Sequence, residues 1–174
     1  MLDTLITSKT RLKLLLKFFL NPGSKGYLRS LETEFGESTN GIRLELNRFE
    51  SAGMLVSELE GNKKVFHADS NHPLFTQLQK IIHNYVGLDR IIEDVVLKLG
   101  NVNSVFLVGD FAKGLNSEVI DLVFVGDIDQ SYLVKLIEKS EEMVSRKIRY
   151  LIYSDGEFSL EVFQEKAFLL LWKG

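Results

Sequence analysis

The chain has 174 residues and a net charge of −3, with 45% hydrophobic and 26% charged residues. That composition fits a globular protein of one domain or two small ones, and a chain of this length buries about 70% of its unfolded surface without a covalent staple. Cysteine is absent, which excludes disulfides, thiolate zinc sites and cysteine nucleophiles and suits a reducing, cytoplasmic setting.

Ser8 is placed to cap a first helix whose apolar residues Leu12, Leu15, Leu16 and Phe19 recur at three- and four-residue spacing. Lys13 and Lys17 interrupt this apolar run and no small-residue cleavage site follows it, so it reads as a helix rather than a signal peptide. No apolar run approaches the roughly 18 residues of a membrane span. Asn21-Pro22-Gly23-Ser24 ends the helix. A short helix over Tyr27 to Phe35 places Leu28, Leu31 and Phe35 on one face, and Gly36-Glu37-Ser38 is a tight turn. A third helix, Thr39 to Ala52, lines up Ile42, Leu46 and Phe49. Met54 to Glu60 and Lys63 to Ala68 alternate as two strands around Gly61-Asn62, a two-residue hairpin turn.

Asp69-Ser70-Asn71-His72-Pro73 is a turn cluster and marks a boundary. Residues 1–68 carry ten Lys/Arg against eight Asp/Glu, and residues 69–174 carry eleven against sixteen. A slightly basic front on an acidic back points to the front as the part that meets nucleic acid. Leu74 to Leu99 reads as helical with a break at Gly87. Its residues Leu74, Leu78, Ile81, Ile82 and Tyr85 recur at helical spacing, which suits either cover for the adjoining domain or a two-fold interface. Beyond it, Ser104 to Val108, Ile120 to Val125 and Arg149 to Tyr153 read as buried strands, with Ser131 to Val144 an amphipathic helix. The three intervals give residues 1–70 as one domain, 71–100 as a helical linker or dimerisation segment, and 101–174 as a second domain.

Helix, short helix, tight turn, helix and hairpin in this order is the winged helix-turn-helix arrangement. Tyr27-Leu28-Arg29-Ser30-Leu31, the turn at Gly36, Ile42-Arg43-Leu44-Glu45-Leu46-Asn47-Arg48-Phe49 and Ala52-Gly53-Met54-Leu55 resemble winged-helix regulators of the arsenical-repressor and multiple-antibiotic-resistance-repressor types. The resemblance covers about residues 8–68 and implies that the third helix enters the major groove of duplex DNA. Ser38, Thr39, Asn40, Arg43 and Asn47 form its polar face, where Asn suits adenine and Arg suits guanine or phosphate. Lys63 and Lys64 follow the hairpin tip, where a wing meets the DNA backbone, and Lys25 and Arg29 flank the second helix. Two features weigh against this reading: Leu44 sits where such repressors often carry a basic residue, and the hairpin also carries Glu58 and Glu60.

Gly109-Asp110-Phe111-Ala112-Lys113-Gly114 followed by Ile120-Asp121-Leu122-Val123-Phe124-Val125-Gly126 resembles the minimal nucleotidyltransferases of the DNA-polymerase-beta type over about residues 100–160. Their pattern is a strand, Gly-Ser, a short Ala-Arg-Gly helix, and Asp-x-Asp opening the next strand. Gly109, Ala112-Lys113-Gly114 and Asp121 keep that frame. The departures fall on the chemistry. Asp110 replaces the serine that holds phosphates, Val119 replaces the first metal-binding aspartate, and Arg149 to Tyr153 offers no third carboxylate. Two-metal transfer needs bridging carboxylates, so the resemblance implies a vestigial nucleotide site at Gly109, Asp110, Lys113 and Asp121, with no catalytic residue, no metal site and no cofactor. Asp127-Ile128-Asp129 lies six to eight residues beyond Asp121 and reads as a polar loop capping the helix that starts near Tyr132. His67, His72 and His83 have no metal-ligand spacing. Phe158, Phe163, Phe168 and Trp172 read as core or dimer packing.

The sequence therefore predicts an α+β chain. An N-terminal winged helix-turn-helix is followed by a small α/β nucleotidyltransferase-like domain with a mixed sheet. The expected function is a DNA-binding transcriptional regulator, a homodimer on double-stranded DNA, with a protein partner through the C-terminal domain and no membrane association. The alternatives are an active nucleotidyltransferase whose winged helix presents a substrate, and an antitoxin-like partner protein.

Overall fold

The computed structural model describes residues 2–164 and 166–174. It divides into two compact units, residues 1–82 with 114–116, and residues 83–113 with 117–174.

In the first unit, α1 (Leu2–Leu5) is followed by α2 (Lys9–Leu15), which continues as a π-helical turn over Leu16–Leu20. The Ser8 hydroxyl accepts from the Arg11 amide at 3.2 Å and so caps α2. All five residues of the π turn are buried, including Lys17, whose ammonium donates to the Glu34 carboxylate at 2.7 Å. Next come β1 (Gly26–Tyr27), α3 (Leu28–Phe35) and α4 (Thr39–Ser51). Gly36 ends α3 in the left-handed conformation, φ +61°, and the Ser38 hydroxyl caps α4 by accepting from the Gly41 amide at 3.2 Å. β2 (Leu55–Glu60) and β3 (Lys63–Ala68) form an antiparallel hairpin around Gly61 and Asn62, with Glu60 opposite Lys63. β1 adds to β3 with Gly26 opposite Phe66, so the sheet order is β1-β3-β2.

The core of this unit is apolar because each helix turns one stripe inward. Phe18, Phe19, Leu31, Ile42, Leu46, Phe49, Leu55 and Phe66 are all buried. The Phe19 ring lies 6.5 Å from Phe49 and 5.9 Å from Phe75, the first residue of α5 (Phe75–Val86). Tyr27 departs from the expected helix. The sequence reads it as the start of a helix, whereas the helix begins at Leu28 and Tyr27 pairs with Val65 as a strand residue.

In the second unit, Gly87 (φ +94°) precedes α6 (Leu88–Ile91), a π-helical turn over Ile92–Val96, and α7 (Leu97–Leu99). β4 (Val102–Val108), α8 (Gly109–Ala112), β5 (Val119–Gly126), α9 (Gln130–Val144), β6 (Lys147–Tyr153), a 3₁₀ turn (Leu160–Phe163) and β7 (Leu169–Lys173) complete it. The sheet order is β6-β5-β4-β7. β5 and β6 run parallel, with α9 as the crossover between them, and the other pairs are antiparallel. The chain is thus α+β with a mixed sheet, as the sequence predicts.

Strand alternation splits the sheet side chains between two faces. Val105, Leu107, Ile120, Leu122 and Phe124 are buried together with Leu133, Leu136 and Ile137 of α9. The other face gathers Phe106, Val123, Val125 and Phe163, with Val108, Tyr153 and Phe158 packed against them. Phe163 stacks on Phe168 at 4.6 Å and Phe106 on Phe158 at 5.2 Å. Phe168 and Trp172 read from sequence as core or dimer packing, with no strand expected there. An unbroken apolar run has no period of two to reveal it, yet it forms β7, paired with β4.

Gly126 closes β5 with φ +149°, and a Cβ there would lie 2.3 Å from the Asn101 carbonyl oxygen. Gly126→Ala is expected to destabilise this unit by about 3 kcal/mol, combining backbone strain with a clash against fixed main chain. Chemical denaturation followed by circular dichroism reads the loss, and an unchanged midpoint would contradict it.

Candidate functional site

A groove of about 560 Å³ opens in the first unit between the hairpin, α4 and the start of α3. Tyr27, Leu28 and Arg29 line it from the β1–α3 junction, Arg43, Leu46 and Asn47 from α4, and Asn62, Lys63, Lys64 and Phe66 from the hairpin. The described lining residues comprise four cations and no carboxylate. Arg29, Arg43, Asn47, Lys63 and Lys64, all singled out from the sequence, therefore share one concavity. Helical spacing places Arg43 and Asn47 on one face of α4, and Ile42, Leu46 and Phe49 anchor the adjoining face in the core.

Ser38, Thr39 and Asn40 stand at the first turn of α4 and do not line the groove. Ser38 is spent as the helix cap, and Asn40 accepts from the Arg43 guanidinium at 3.3 Å. Leu44 is 52% exposed, an apolar side chain on the solvent side of the helix.

The groove also holds residues that the sequence reading missed. The Lys63 ammonium sits 4.4 Å from the centre of the Tyr27 ring, and the Lys64 ammonium 5.0 Å from that of Phe66. Asn62 lies beside Lys63 at the hairpin tip; its signal was already present in the Gly-Asn turn. Lys64 also donates to Glu50 at 2.7 Å. That bond and one from the Ser57 hydroxyl hold the Glu50 carboxyl below the usual glutamate range. The two hairpin glutamates that weighed against a nucleic-acid face have a local partner. Lys25 donates to Glu58 at 2.7 Å and to Glu60 at 2.8 Å, and these bonds raise its pKa. Lys25 is thus committed to the hairpin rather than to the groove.

In the second unit, Gly109 follows β4 and opens α8 with φ +69°. A Cβ on it would lie 2.4 Å from Asp121 Oδ2, so the glycine is what lets that carboxylate fit. Asp121 stands opposite Arg149 in the parallel β5–β6 register. Arg149 Nε donates to Oδ1 at 2.6 Å and Nη2 to Oδ2 at 3.0 Å. The pair raises the Arg149 pKa, chiefly through the hydrogen bonds and then through the charge of Asp121, with a smaller contribution from Asp110. Asp110 of α8 and Lys113, the residue that ends the helix, approach at 3.9 Å. Asp127 lies in the exposed loop after β5, and Asp129 caps α9 by accepting from the Ser131 and Tyr132 amides at 2.9 and 3.1 Å. These bonds, with one from the Ser131 hydroxyl, keep its carboxyl below the usual range.

Among the described residues, no group of three or more His, Asp or Glu side chains is gathered to hold a metal ion. Asp121 has both oxygens engaged by Arg149, and Val119 offers no donor. The divalent ions implied by the nucleotidyltransferase resemblance do not fit this donor set.

No family model and no curated protein matches the chain. Solved structures are similar to parts of it. A protein of Archaeoglobus fulgidus has 21% identity and a TM-score of 0.39 over 53% of this chain and 98% of its own. The Shewanella oneidensis complex of a tri-AMPylated HEPN toxin with an MNT antitoxin matches at 14% identity and a TM-score of 0.37, over 51% of this chain and 71% of the matched one. A candidate nucleotidyltransferase from Sulfolobus solfataricus matches at 24% identity and a TM-score of 0.35, over 53% and 82%. At these scores and identities the likeness carries no functional argument. No described helix is long and apolar enough to cross a membrane.

Proposed function

We propose that the first unit is a winged helix-turn-helix that binds duplex DNA through the groove between α4 and the hairpin. On this reading the chain is a transcriptional regulator. The observation that carries it is the lining of the groove: four cations, two amides and no carboxylate in a concavity walled by a helix and a hairpin. Phosphates supply the anions that such a surface lacks, and Arg and Asn also suit base edges. With Lys64 already held by Glu50, neutralising about three phosphates per chain gives a salt slope of about −3 in log K against log salt. A dimer on a two-fold site would double the contacts and raise the effective concentration of the second copy.

On the same reading the second unit is a nucleotidyltransferase-like domain without catalytic activity, used for dimerisation, partner binding or sensing. What supports this is the frame of Gly109, α8 and Asp121 beside β4 and β5, with Arg149 bonded to Asp121 and no carboxylate between Arg149 and Tyr153 on β6.

Selection from random duplex DNA at near-physiological salt tests the proposal. The expected result is an enriched two-fold motif, with a dimer mass in light scattering at micromolar protein. Enrichment of no sequence would transfer the first unit to protein binding. That outcome would favour the second reading, an antitoxin-like partner protein, which has its own support in the exposed apolar side chains Leu151, Leu160, Val162 and Leu170 of the second unit.

A further inference from the structure

We propose that Arg149 is a built-in counter-ion that takes the place of a divalent cation at Asp121 and keeps the open end of the sheet closed to metal and metal–nucleotide. The inference rests on the nucleotidyltransferase-like reading of the second unit and is independent of DNA binding by the first.

The geometry is that of a cap over a recessed anion. The Asp121 side chain is 17% exposed and lies against Gly109, whose missing Cβ makes its room. The Arg149 side chain is 73% exposed and reaches over it from the solvent side. Both carboxylate oxygens accept from the guanidinium, in the two-pronged form that uses the whole face of the carboxylate. A divalent ion needs those same oxygens and several more. The register supplies this partner automatically, because parallel pairing sets residues 121 and 149 side by side on neighbouring strands.

The surrounding charges balance without a metal. Asp110 acts electrostatically on Arg149 and faces Lys113 at 3.9 Å. Two carboxylates and two cations leave this surface near neutrality. A metal-dependent site has the opposite plan, a surplus of carboxylates that only the ions offset. Arg149→Gln therefore unbalances the group by one negative charge and frees the oxygens of Asp121 to accept a hard cation beside Asp110.

Manganese binding to the full chain, followed by electron paramagnetic resonance, tests this. The intact chain is expected to show no Mn²⁺ binding that depends on Asp121. Arg149→Gln is expected to bind Mn²⁺ about tenfold or more tightly than the intact chain, and adding Asp121→Asn should abolish the gain. Arg149→Lys keeps the charge without the fork and should exclude the ion as the intact chain does. Thermal melts of each variant establish that it is folded, and Arg149→Lys against the intact chain and Asp121→Asn decides the matter if Arg149→Gln does not fold. Mn²⁺ binding by the intact chain that Asp121→Asn removes would overturn the inference. So would a folded Arg149→Gln that gains nothing, or an Arg149→Lys that binds Mn²⁺. If the intact chain also binds a triphosphate together with Mn²⁺, the inactive reading itself fails. Loss of the Arg149 effect without nucleotide binding removes only the counter-ion role.

Discussion

Arg43→Ala is expected to weaken binding to a selected DNA site by about 1–3 kcal/mol and to relax base preference at one position, the loss typical of a side chain that reads a base edge. Lys63→Ala is expected to weaken all sequences alike and to lower the magnitude of the salt slope by about one, as one phosphate contact is lost. The difference follows from where the two side chains stand. Arg43 projects from the middle of α4, anchored between Ile42 and Leu46, so its approach to a groove is fixed by a helix set rigidly in the core. Asn40 steadies its guanidinium at 3.3 Å. Lys63 stands on the hairpin next to the turn, over the Tyr27 ring, where a flexible ammonium serves as a point charge. Lys25→Ala provides the control. Its ammonium is already held by Glu58 and Glu60, so its removal should leave the salt slope unchanged. Fluorescence anisotropy at several salt concentrations reads all three variants. Equal, sequence-independent losses for Arg43→Ala and Lys63→Ala would make the groove a purely electrostatic surface and remove the regulator reading.

Much of this site is legible from sequence because its signals are local. Ser38 before an apolar-periodic stretch marks the start of α4, Gly61-Asn62 marks the hairpin, and Asp129 two residues before Ser131 marks the cap of α9. Helical spacing alone places Arg43 and Asn47 together on the face that flanks Ile42 and Leu46. What the sequence hides is pairing across distance. Arg149 is 28 residues from Asp121 and meets it only because β5 and β6 are parallel in one register. Tyr27 looks like a helix residue until β3 arrives to pair with it. β7 is invisible for a different reason: an edge strand made of an unbroken apolar run carries no alternation to distinguish it from any other apolar segment. Lys25, Glu58 and Glu60 show the cost of counting charges along the chain. Their sum is acidic, yet Lys25 holds both glutamates, none of the three lines the groove, and its lining stays basic.

Glu45 is the second residue whose loss should be large, and here the effect is on stability. It faces inward from α4 with a side chain only 6% exposed, and it receives two bonds from Arg11 of α2, at 2.9 and 3.1 Å, and one from Arg48 at 3.0 Å. Burial alone would raise its carboxyl, but the Arg11 hydrogen bonds, the Arg11 charge and the Arg48 charge outweigh it, and the group stays below the ordinary glutamate value of 4.5. Removing one partner of a fully buried pair costs about 3–5 kcal/mol. The Arg11 side chain is 38% exposed and can turn to water, so Glu45→Gln should cost less, about 2 kcal/mol at neutral pH. The pH dependence has a definite sign. A carboxyl with a lowered folded-state pKa binds its proton more weakly when folded, so its contribution is complete above 4.5 and fades as pH falls through the folded value. The stability gap between the intact chain and Glu45→Gln should therefore be constant from pH 7 to about 5 and close at lower pH. Urea unfolding of both proteins across that range measures it. A gap that widens on acidification would mean that burial, rather than the arginines, governs Glu45. The bridge also joins α4 to α2, so Glu45→Gln tests whether the helix that presents Arg43 and Asn47 is held from behind. If it is, the variant loses DNA affinity as well as stability, although Glu45 faces away from the groove.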